Sequence, residues 1–396
     1  MVQHGGELGT GLAAAVIAEM SVATKADGFV PITGAHIDGC LFHGQAGLDF
    51  AEALLGEGAR VKVPTTLNVS SLDLLHPSLY RGDATTAASA RRLMEVYEAM
   101  GCEPTWTCAP YQLQHRPGFG EQIAWAESNA IVFANSVLGA RTNRYGDFLD
   151  IACAVTGLAP YYGLHTDQGR RGTVVVRVVG IDSDWLDSDW LYPVLGSLLG
   201  RLSPTGLPVI VGLDQRASED RLKALGAGAA STGAIAMFHA VGVTPEAATM
   251  TDATGGVDLP EFTVGPQQLS DERARLSSNQ GQPPQAVSLG APHYSAAELS
   301  RLAERIGDRT SVMPFFVNTN RAAVAAVPEV AQRLAQRGVT VVTDTCTYIT
   351  PIIDTSIRVV MTDSAKWAYY APGNLGIGVV FGSAEECVAT AVGDLP

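Results

Sequence analysis

The sequence predicts an α/β chain of mainly parallel sheets with flanking helices, carrying its functional groups in loops at the carboxyl ends of strands. Three observations carry that expectation. From residue 286 onward, short β-branched runs at 286–289, 313–317, 339–343, 357–361 and 377–381 stand in register with loops and helices. Helical patterns at 296–306 and 327–337 separate the earlier of these runs, which is the signature of strand–helix–strand crossovers. Polar strings with no evident structural purpose follow several of the expected strands, where an open α/β sheet forms its ligand crevice.

The elements follow in order. Residues 28–32 read as a strand entering the loop at Ala35-His36, 46–55 as a helix, and 60–63 as a strand entering the loop Pro64-Thr65-Thr66-Leu67-Asn68. Residues 86–100 form an amphipathic helical pattern without internal Gly or Pro. Beyond Cys108 a Pro117-Gly118-Phe119-Gly120 turn precedes an apolar stretch, 123–138, interrupted by Glu127, Ser128, Asn129, Asn135 and Ser136. Strands are expected at 172–180 and 208–213, with acidic 183–189 as a surface loop between them. Residues 224–241, rich in Ala and Gly, suit a closely packed helix, and polar 255–285 reads as a connector or exposed insertion. The expected lobes are 1–170, 171–285 and 286–396. No solenoid repeat is present.

Composition limits the function classes. A chain of 396 residues can bury two or three lobes, and 46% hydrophobic against 17% charged residues describes a folded protein. The net charge of −14 argues against non-specific nucleic-acid binding and against attraction to anionic membranes. An anionic substrate stays compatible, because a local arginine cluster dominates within a Debye length of about 8–10 Å. Residues 1–10 lack a basic segment leading into an apolar core, and the apolar run 12–20 carries Glu19 and is too short to span a bilayer. The expected location is the cytoplasm, where six cysteines read as free thiols or metal ligands rather than disulfides.

Two cysteines stand out. Cys108, in Thr107-Cys108-Ala109-Pro110-Tyr111, and Cys346, in Thr343-Asp344-Thr345-Cys346-Thr347, each sit among hydroxyls at an expected strand-to-loop junction. A thiolate there is a good soft-metal ligand. Cys108 reads equally well as a small core residue, whereas Cys346, at a strand end, favours the ligand reading. Cys387, in the expected first turn of the last helix, either gains from the helix amides or packs in the core. Cys40, Cys102 and Cys153 read as structural. No Cys-x-x-Cys is present, so spacing identifies neither a zinc site nor a ferredoxin-type cluster.

Other polar residues carry two readings each. Arg141 and Arg144 flank Asn143 and either clamp a carboxylate or phosphate or form a solvated surface pair. Lys366, in a loop after a strand, binds an anionic group or pairs with Asp363. His36 and His165 meet a substrate oxygen or are satisfied structurally. Glu127, within an apolar run, needs a cationic partner or serves as an acid/base. Gly226-Ala227-Gly228 lacks the strand and third glycine of a dinucleotide loop, and no Gly-x-Ser-x-Gly elbow is present.

In order along the chain, several strings resemble the aconitase X family. They are Ala35-His36-Ile37-Asp38-Gly39, Val63-Pro64-Thr65-Thr66-Leu67-Asn68, Pro104-Thr105-Trp106-Thr107-Cys108-Ala109-Pro110-Tyr111 and Glu127-Ser128-Asn129-Ala130. Further on come Asn135-Ser136-Val137-Leu138-Gly139-Ala140-Arg141-Thr142-Asn143, Gly163-Leu164-His165, Thr343-Asp344-Thr345-Cys346 and the segment from Lys366 to Gly373. The resemblance runs from about Ala35 to Val392.

The resemblance implies an aconitase-superfamily hydro-lyase: a three-lobed α/β arrangement around an iron–sulfur cluster, covered by a small swivelling domain that is either fused or a separate subunit. This chain, ending at Pro396, is expected to lack the swivel domain. It would be the large subunit of a two-chain enzyme whose partner carries the serine base, and would be inactive alone. The implied substrate is a small carboxylate, cis-3-hydroxy-L-proline first and mevalonate 5-phosphate second. The implied metal ligands are Cys108, Cys346 and Cys387, with 2Fe-2S, 3Fe-4S and 4Fe-4S clusters all open. Glu127, His36 and Lys366 are the implied catalytic groups, and Asn68, Ser136, Arg141, Asn143, His165 and Ser364 the implied substrate contacts.

The family pattern is not followed everywhere. Ala291, in Gly290-Ala291-Pro292-His293, stands where relatives carry cysteine, and Asp363, Ala365 and Tyr369 replace Asn, Gly and His around Lys366. These departures keep two alternatives open, a binding protein of the same fold without a cluster and a lyase with a single metal ion.

Overall fold

Three parallel sheets succeed one another along the chain in the computed structural model, which describes residues 11–394. The N-terminal decapeptide read above lies outside the described residues. The first lobe runs through α1 (Leu12–Thr24), β1 (Phe29–Pro31), β2 (Ala35–Ile37), α2 (Gln45–Gly56), β3 (Thr65–Leu67) and α3 (Ala84–Ala99). It continues with β4 (Ala124–Trp125), α4 (Ser128–Phe133), α5 (Leu149–Thr156) and β5 (Leu158–Pro160). β3 and β4 flank β2 in parallel, while β1 and β5 form a separate antiparallel pair. The strand expected at 60–63 does not form. Pairing begins at Thr65, past Pro64, which has no N–H to contribute to a ladder.

The second lobe contains β6 (Val174–Val178), α6 (Ser183–Asp187), α7 (Leu191–Leu202), β7 (Pro208–Val211), α8 (Glu219–Thr232), β8 (His239–Ala240), α9 (Met250–Thr254), β9 (Glu261–Val264) and α10 (Pro266–Arg275). Its sheet is parallel in the order β8-β7-β6-β9. Two expectations are corrected here. The acidic segment opens with α6, because the Asp182 carboxylate caps it by accepting from Trp185 N at 3.0 Å. The polar segment after Gly255 supplies β9 and α10, which buries Leu269, rather than an insertion. The Ala/Gly run does form a helix, though it stops at Thr232. Glycine lets α7 and α8 touch backbone to backbone: a Cβ at Gly196 would lie 2.0 Å from the Leu225 carbonyl oxygen. α8 also packs against α4 of the first lobe.

The third lobe holds β10 (Ala286–Tyr294), α11 (Ala296–Ile306), β11 (Phe315–Thr319), α12 (Arg321–Ala326), α13 (Pro328–Gln336), β12 (Val339–Val342), β13 (Val359–Thr362), α14 (Ala365–Leu375), β14 (Gly378–Phe381) and α15 (Ala384–Val392). Its order is β12-β11-β10-β13-β14, all parallel. The chain therefore starts at the centre, builds outward to β12, then crosses to the other side of β10. The first sheet is wound the same way about β2. Loops leaving adjacent strands diverge at such a reversal, which opens a crevice at their carboxyl ends. One apolar cluster includes Val69, Cys108 and Val132 of the first lobe together with side chains of the other two, so the lobes share a core. No helix among the described residues is long and apolar enough to cross a membrane.

Candidate active site and metal centre

Both crevices open onto one cleft of about 370 Å³, whose walls include Asp38, Asn68, Glu127, Arg144, Tyr348 and Lys366. Asp38 directly follows β2, Glu127 follows β4 by two residues, and Lys366 stands in the first turn of α14 after β13. Lys366 is thus helical rather than in a loop. Ser364 caps that helix, its hydroxyl accepting from Trp367 N at 3.1 Å.

Cys108 also lines the cleft. Its sulfur, the Cys346 sulfur and a ring nitrogen of His293 all lie within 4.8 Å of one another, and all three residues are buried. His293 is oriented from several sides. Its backbone N–H donates to Cys108 Sγ at 3.3 Å, its Nε2 lies 3.0 Å from the Thr345 carbonyl oxygen and its Nδ1 lies 3.1 Å from Thr107 Oγ1. A carbonyl only accepts, so Nε2 carries the proton and the Nδ1 lone pair accepts from the Thr107 hydroxyl. A histidine that ligates a metal commonly gives its other N–H to a carbonyl in this way. Burial pushes the Cys108 thiol up, but a hydrogen bond from Cys346, with the positive field of Lys366 adding to it, brings it below the ordinary thiol value. Cys346, which donates that bond, is driven up. Two sulfurs and an imidazole, one sulfur readily ionised, suit a soft metal or an iron–sulfur cluster.

Cys387 does not join this group. It faces the apolar cluster on the α15 side of the third sheet with Leu302, Ile306, Val388 and Ala391, where burial drives its thiol up. His293 is the member of this group that sequence reasoning missed. Its one local signal was its place two residues beyond Ala291 on the same strand, β10.

Glu127 and Lys366 form an ion pair whose side chains are 4% and 5% exposed. Glu127 also caps α4, one carboxylate oxygen accepting from Ala130 N at 2.6 Å and the other from Ser128 Oγ at 3.2 Å. Burial alone would raise the Glu127 carboxyl, yet the charge and hydrogen bond of Lys366 hold it below the ordinary value. Burial likewise opposes the charge on Lys366, and Glu127 more than restores it. The pair is therefore carboxylate and ammonium, which makes Lys366 a fixed cation and leaves Glu127 a weak base.

Several residues expected to touch substrate are instead held by the protein. Ser136 Oγ accepts from Phe238 N at 2.9 Å. Arg141 donates to the His165 carbonyl at 3.3 Å and pairs with Asp167. Asn143 bridges Tyr162 O and Leu164 N at 3.1 and 2.8 Å. His165 is wedged between Gln122 Oε1 at 2.6 Å and the Tyr145 hydroxyl at 2.5 Å, and burial lowers its pKa to about 3. The Ser364 hydroxyl is spent on the α14 cap and on the Ala291 carbonyl. His36 is wholly buried, with Nδ1 2.8 Å from Thr66 Oγ1, Nε2 without a partner, and a pKa lowered by burial to about 4. None of these six lines the cleft. Each is a polar group whose burial demanded a nearby partner, and for all but His36 Nε2 the fold supplied one.

Asn68 does line the cleft, giving Nδ2 to Asp38 while its Oδ1 is buried and unpartnered. Arg144 lines it too and donates only to the carbonyls of Gly233 and Ala230, at 3.2 and 3.3 Å, at the end of α8. Among the described residues it has no carboxylate partner.

Three family models, described as the first, second and third domains of aconitase X, match residues 3–168, 172–274 and 284–393. The chain is 43% identical over 391 residues to a cis-3-hydroxy-L-proline dehydratase of Pseudomonas aeruginosa, covering 96% of this chain and 67% of that protein. It is 42% identical to the Hypocrea jecorina protein of the same name, covering 95% of this chain and 64% of that one. The chain thus spans about two thirds of the length of these curated relatives. It is 34% identical to the phosphomevalonate dehydratase large subunit of Methanosarcina mazei, covering 93% of this chain and 89% of that one. A crystal structure of Thermococcus kodakaraensis aconitase X in its holo-form superposes with a TM-score of 0.85 at 31% identity, covering 96% of this chain and 94% of that one.

Proposed function

The chain belongs to the aconitase X family, and from that membership we propose that it is the large part of a hydro-lyase dehydrating a small hydroxy acid, cis-3-hydroxy-L-proline before mevalonate 5-phosphate. The observation that carries the reading is the meeting of Cys108, His293 and Cys346 beside the fixed cation Lys366. The order of substrates follows identity: the two relatives above 40% bear the hydroxyproline name, and the phosphomevalonate large subunits lie at 29–35%.

Dehydration removes a hydroxyl from one carbon and a proton from its neighbour beside a carboxylate. An iron–sulfur cluster held by Cys108 and Cys346, with His293 as a third donor, would supply a Lewis acid for the departing hydroxyl. The chain's own groups manage charge. Arg144, fixed at one edge by main-chain carbonyls, turns its remaining N–H groups to the substrate carboxylate. Lys366, held charged by Glu127, stabilises the negative charge that grows there as the proton leaves.

Glu127 is a weak base, so the proton acceptor is assigned to a small swivel-domain subunit carrying a serine. Support for such a partner comes from the name "large subunit" borne by archaeal relatives of which the chain covers 86–91%. Lobes at 1–170, 171–285 and 286–396, and a cytoplasmic location, belong to the same reading.

A single metal ion is the second reading, favoured by compactness. Two bonds of about 2.3 Å to one ion put the sulfurs about 3.8 Å apart, which suits donors that all lie within 4.8 Å. Anaerobic co-purification with a candidate small swivel-domain subunit tests both. Iron with acid-labile sulfide, and loss of cis-3-hydroxy-L-proline on incubation, is the expected result. Metal without sulfide selects the single ion. Protein with neither metal nor turnover of either hydroxy acid refutes the enzyme.

A further inference from the structure

The wall of the cleft that carries Lys366 and Arg144 also carries a pole of opposite sign. Asp38 accepts from Asn68 Nδ2, and among the described residues no Lys, Arg or His pairs with it. Lys366, the cation whose field reaches Asp38, is committed to Glu127. Asn68 is 2% exposed, and its Oδ1 is a buried acceptor with no donor among the described residues. Asp38 thus stands on the cleft wall with no cation paired to it, with the orphaned Asn68 amide oxygen beside it, while Arg144 on the same wall has no carboxylate partner among the described residues. An unpaired buried acceptor is costly, so this pole is built for something that arrives.

Burial, then repulsion from Asp147 and Glu127, pushes the Asp38 carboxyl up to about 7. A cation at Asp38 relieves that strain and an anion adds to it. The ligand that satisfies both poles is a small zwitterion with an ammonium beside its carboxylate. A phosphorylated hydroxy acid carries no ammonium and brings a second anion.

We propose that Asp38, with Asn68, is the ammonium-recognising pole of the cleft and selects amino-acid hydroxy acids over phosphorylated ones, a role that presupposes the dehydratase reading above. Asp38 acts here on the bound substrate's nitrogen, away from the bonds that change.

The test uses the assembled holoenzyme and two ligands of equal ring size, L-proline and cyclopentanecarboxylate, which differ in the ammonium. Each is titrated calorimetrically and also used as a competitor of cis-3-hydroxy-L-proline dehydration. The expected result is binding of L-proline about tenfold or more tighter. Asp38→Asn should shrink that preference to about twofold, weakening L-proline and leaving cyclopentanecarboxylate unchanged, with KM rising more than kcat falls. Equal binding in the unchanged protein, or an intact preference in Asp38→Asn, overturns the proposal. Should that variant fold poorly, the ligand pair on the unchanged protein decides by itself. Turnover with equal binding sinks the pole alone, and a clear L-proline preference without turnover sinks the dehydratase alone.

Discussion

Glu127 and Lys366 stand 239 residues apart in the chain and meet as a buried ion pair on the wall of the cleft. One ends the central reversal of the first sheet and the other opens the helix after the corresponding reversal of the third. The pair joins two lobes at the point where their crevices face each other, and it fixes a cation beside Cys108.

Removing one partner leaves the other charged and buried. Glu127→Gln should cost about 3–5 kcal/mol in denaturant unfolding, and Glu127→Gln with Lys366→Met should recover part of it. The sign with pH follows from the shifts. Glu127 is lowered from 4.5, so its contribution is present above that value and lost as pH falls through its folded pKa. Lys366 is raised from 10.5, so its contribution is lost only as pH rises through its own. The cost of Glu127→Gln should therefore be constant near neutrality and shrink in acid. A cost that grows in acid contradicts the assigned charge states.

Metal content separates the cysteines. Cys108→Ala, Cys346→Ala and His293→Ala should each lose most bound iron and any visible sulfur-to-iron absorbance. Cys387→Ala should keep both and lose only packing, on the order of 1–2 kcal/mol. Iron lost from Cys387→Ala and retained in His293→Ala would restore the ligand set expected from the sequence.

Arg144 and Arg141 should part in kinetics. Arg144→Ala removes the arginine that lines the cleft and should raise KM by roughly 10–100-fold, the worth of a charge-assisted hydrogen bond. Arg141→Ala breaks an ion pair whose Asp167 side chain is 86% exposed. Its effect should stay below about 1 kcal/mol in stability, with KM unchanged. The reverse ranking would return the substrate contact to Arg141.

His165 sets a slope in acid. Burial, then the charges of Arg170 and Arg141, hold its pKa at about 3 against an ordinary 6.5. Between those values the unfolded chain binds a proton that the folded chain refuses, so stability falls as pH drops from 6.5 towards 3. The slope from this residue is up to about 1.4 kcal/mol per pH unit. His165→Gln should remove it from the unfolding profile, and an unchanged slope argues against a neutral, locked imidazole.

Much of the frame was legible because it is local. The β-branched runs from Ala286 onward and the helix at 84–99 follow from spacing, and β3 begins at Thr65 rather than at 60 because of a proline that spacing alone overlooked. The hydroxyl-flanked thiols Cys108 and Cys346 could be singled out as a pair, and Glu127 announced itself as a carboxylate in an apolar run needing a partner. Ser364 shows the limit: it was visible as a polar residue after a strand, yet its hydroxyl is consumed by the cap of α14 and by the Ala291 carbonyl.

The order of residues by itself determined the strand and helix alternation from Ala286 onward, the family, and Cys108 and Cys346 as the hydroxyl-flanked thiols to bring together. Tertiary structure decided which side chains stand together: His293, and not Cys387, joins Cys108 and Cys346, and Arg144, and not Arg141, lines the cleft. The physical reason is range. Periodicity and capping act over a few residues, whereas the direction of a loop side chain depends on which partner reaches it first. Those partners, such as Lys366 for Glu127, the α8 carbonyls for Arg144 and Gln122 for His165, come from elements brought together only by the packed core.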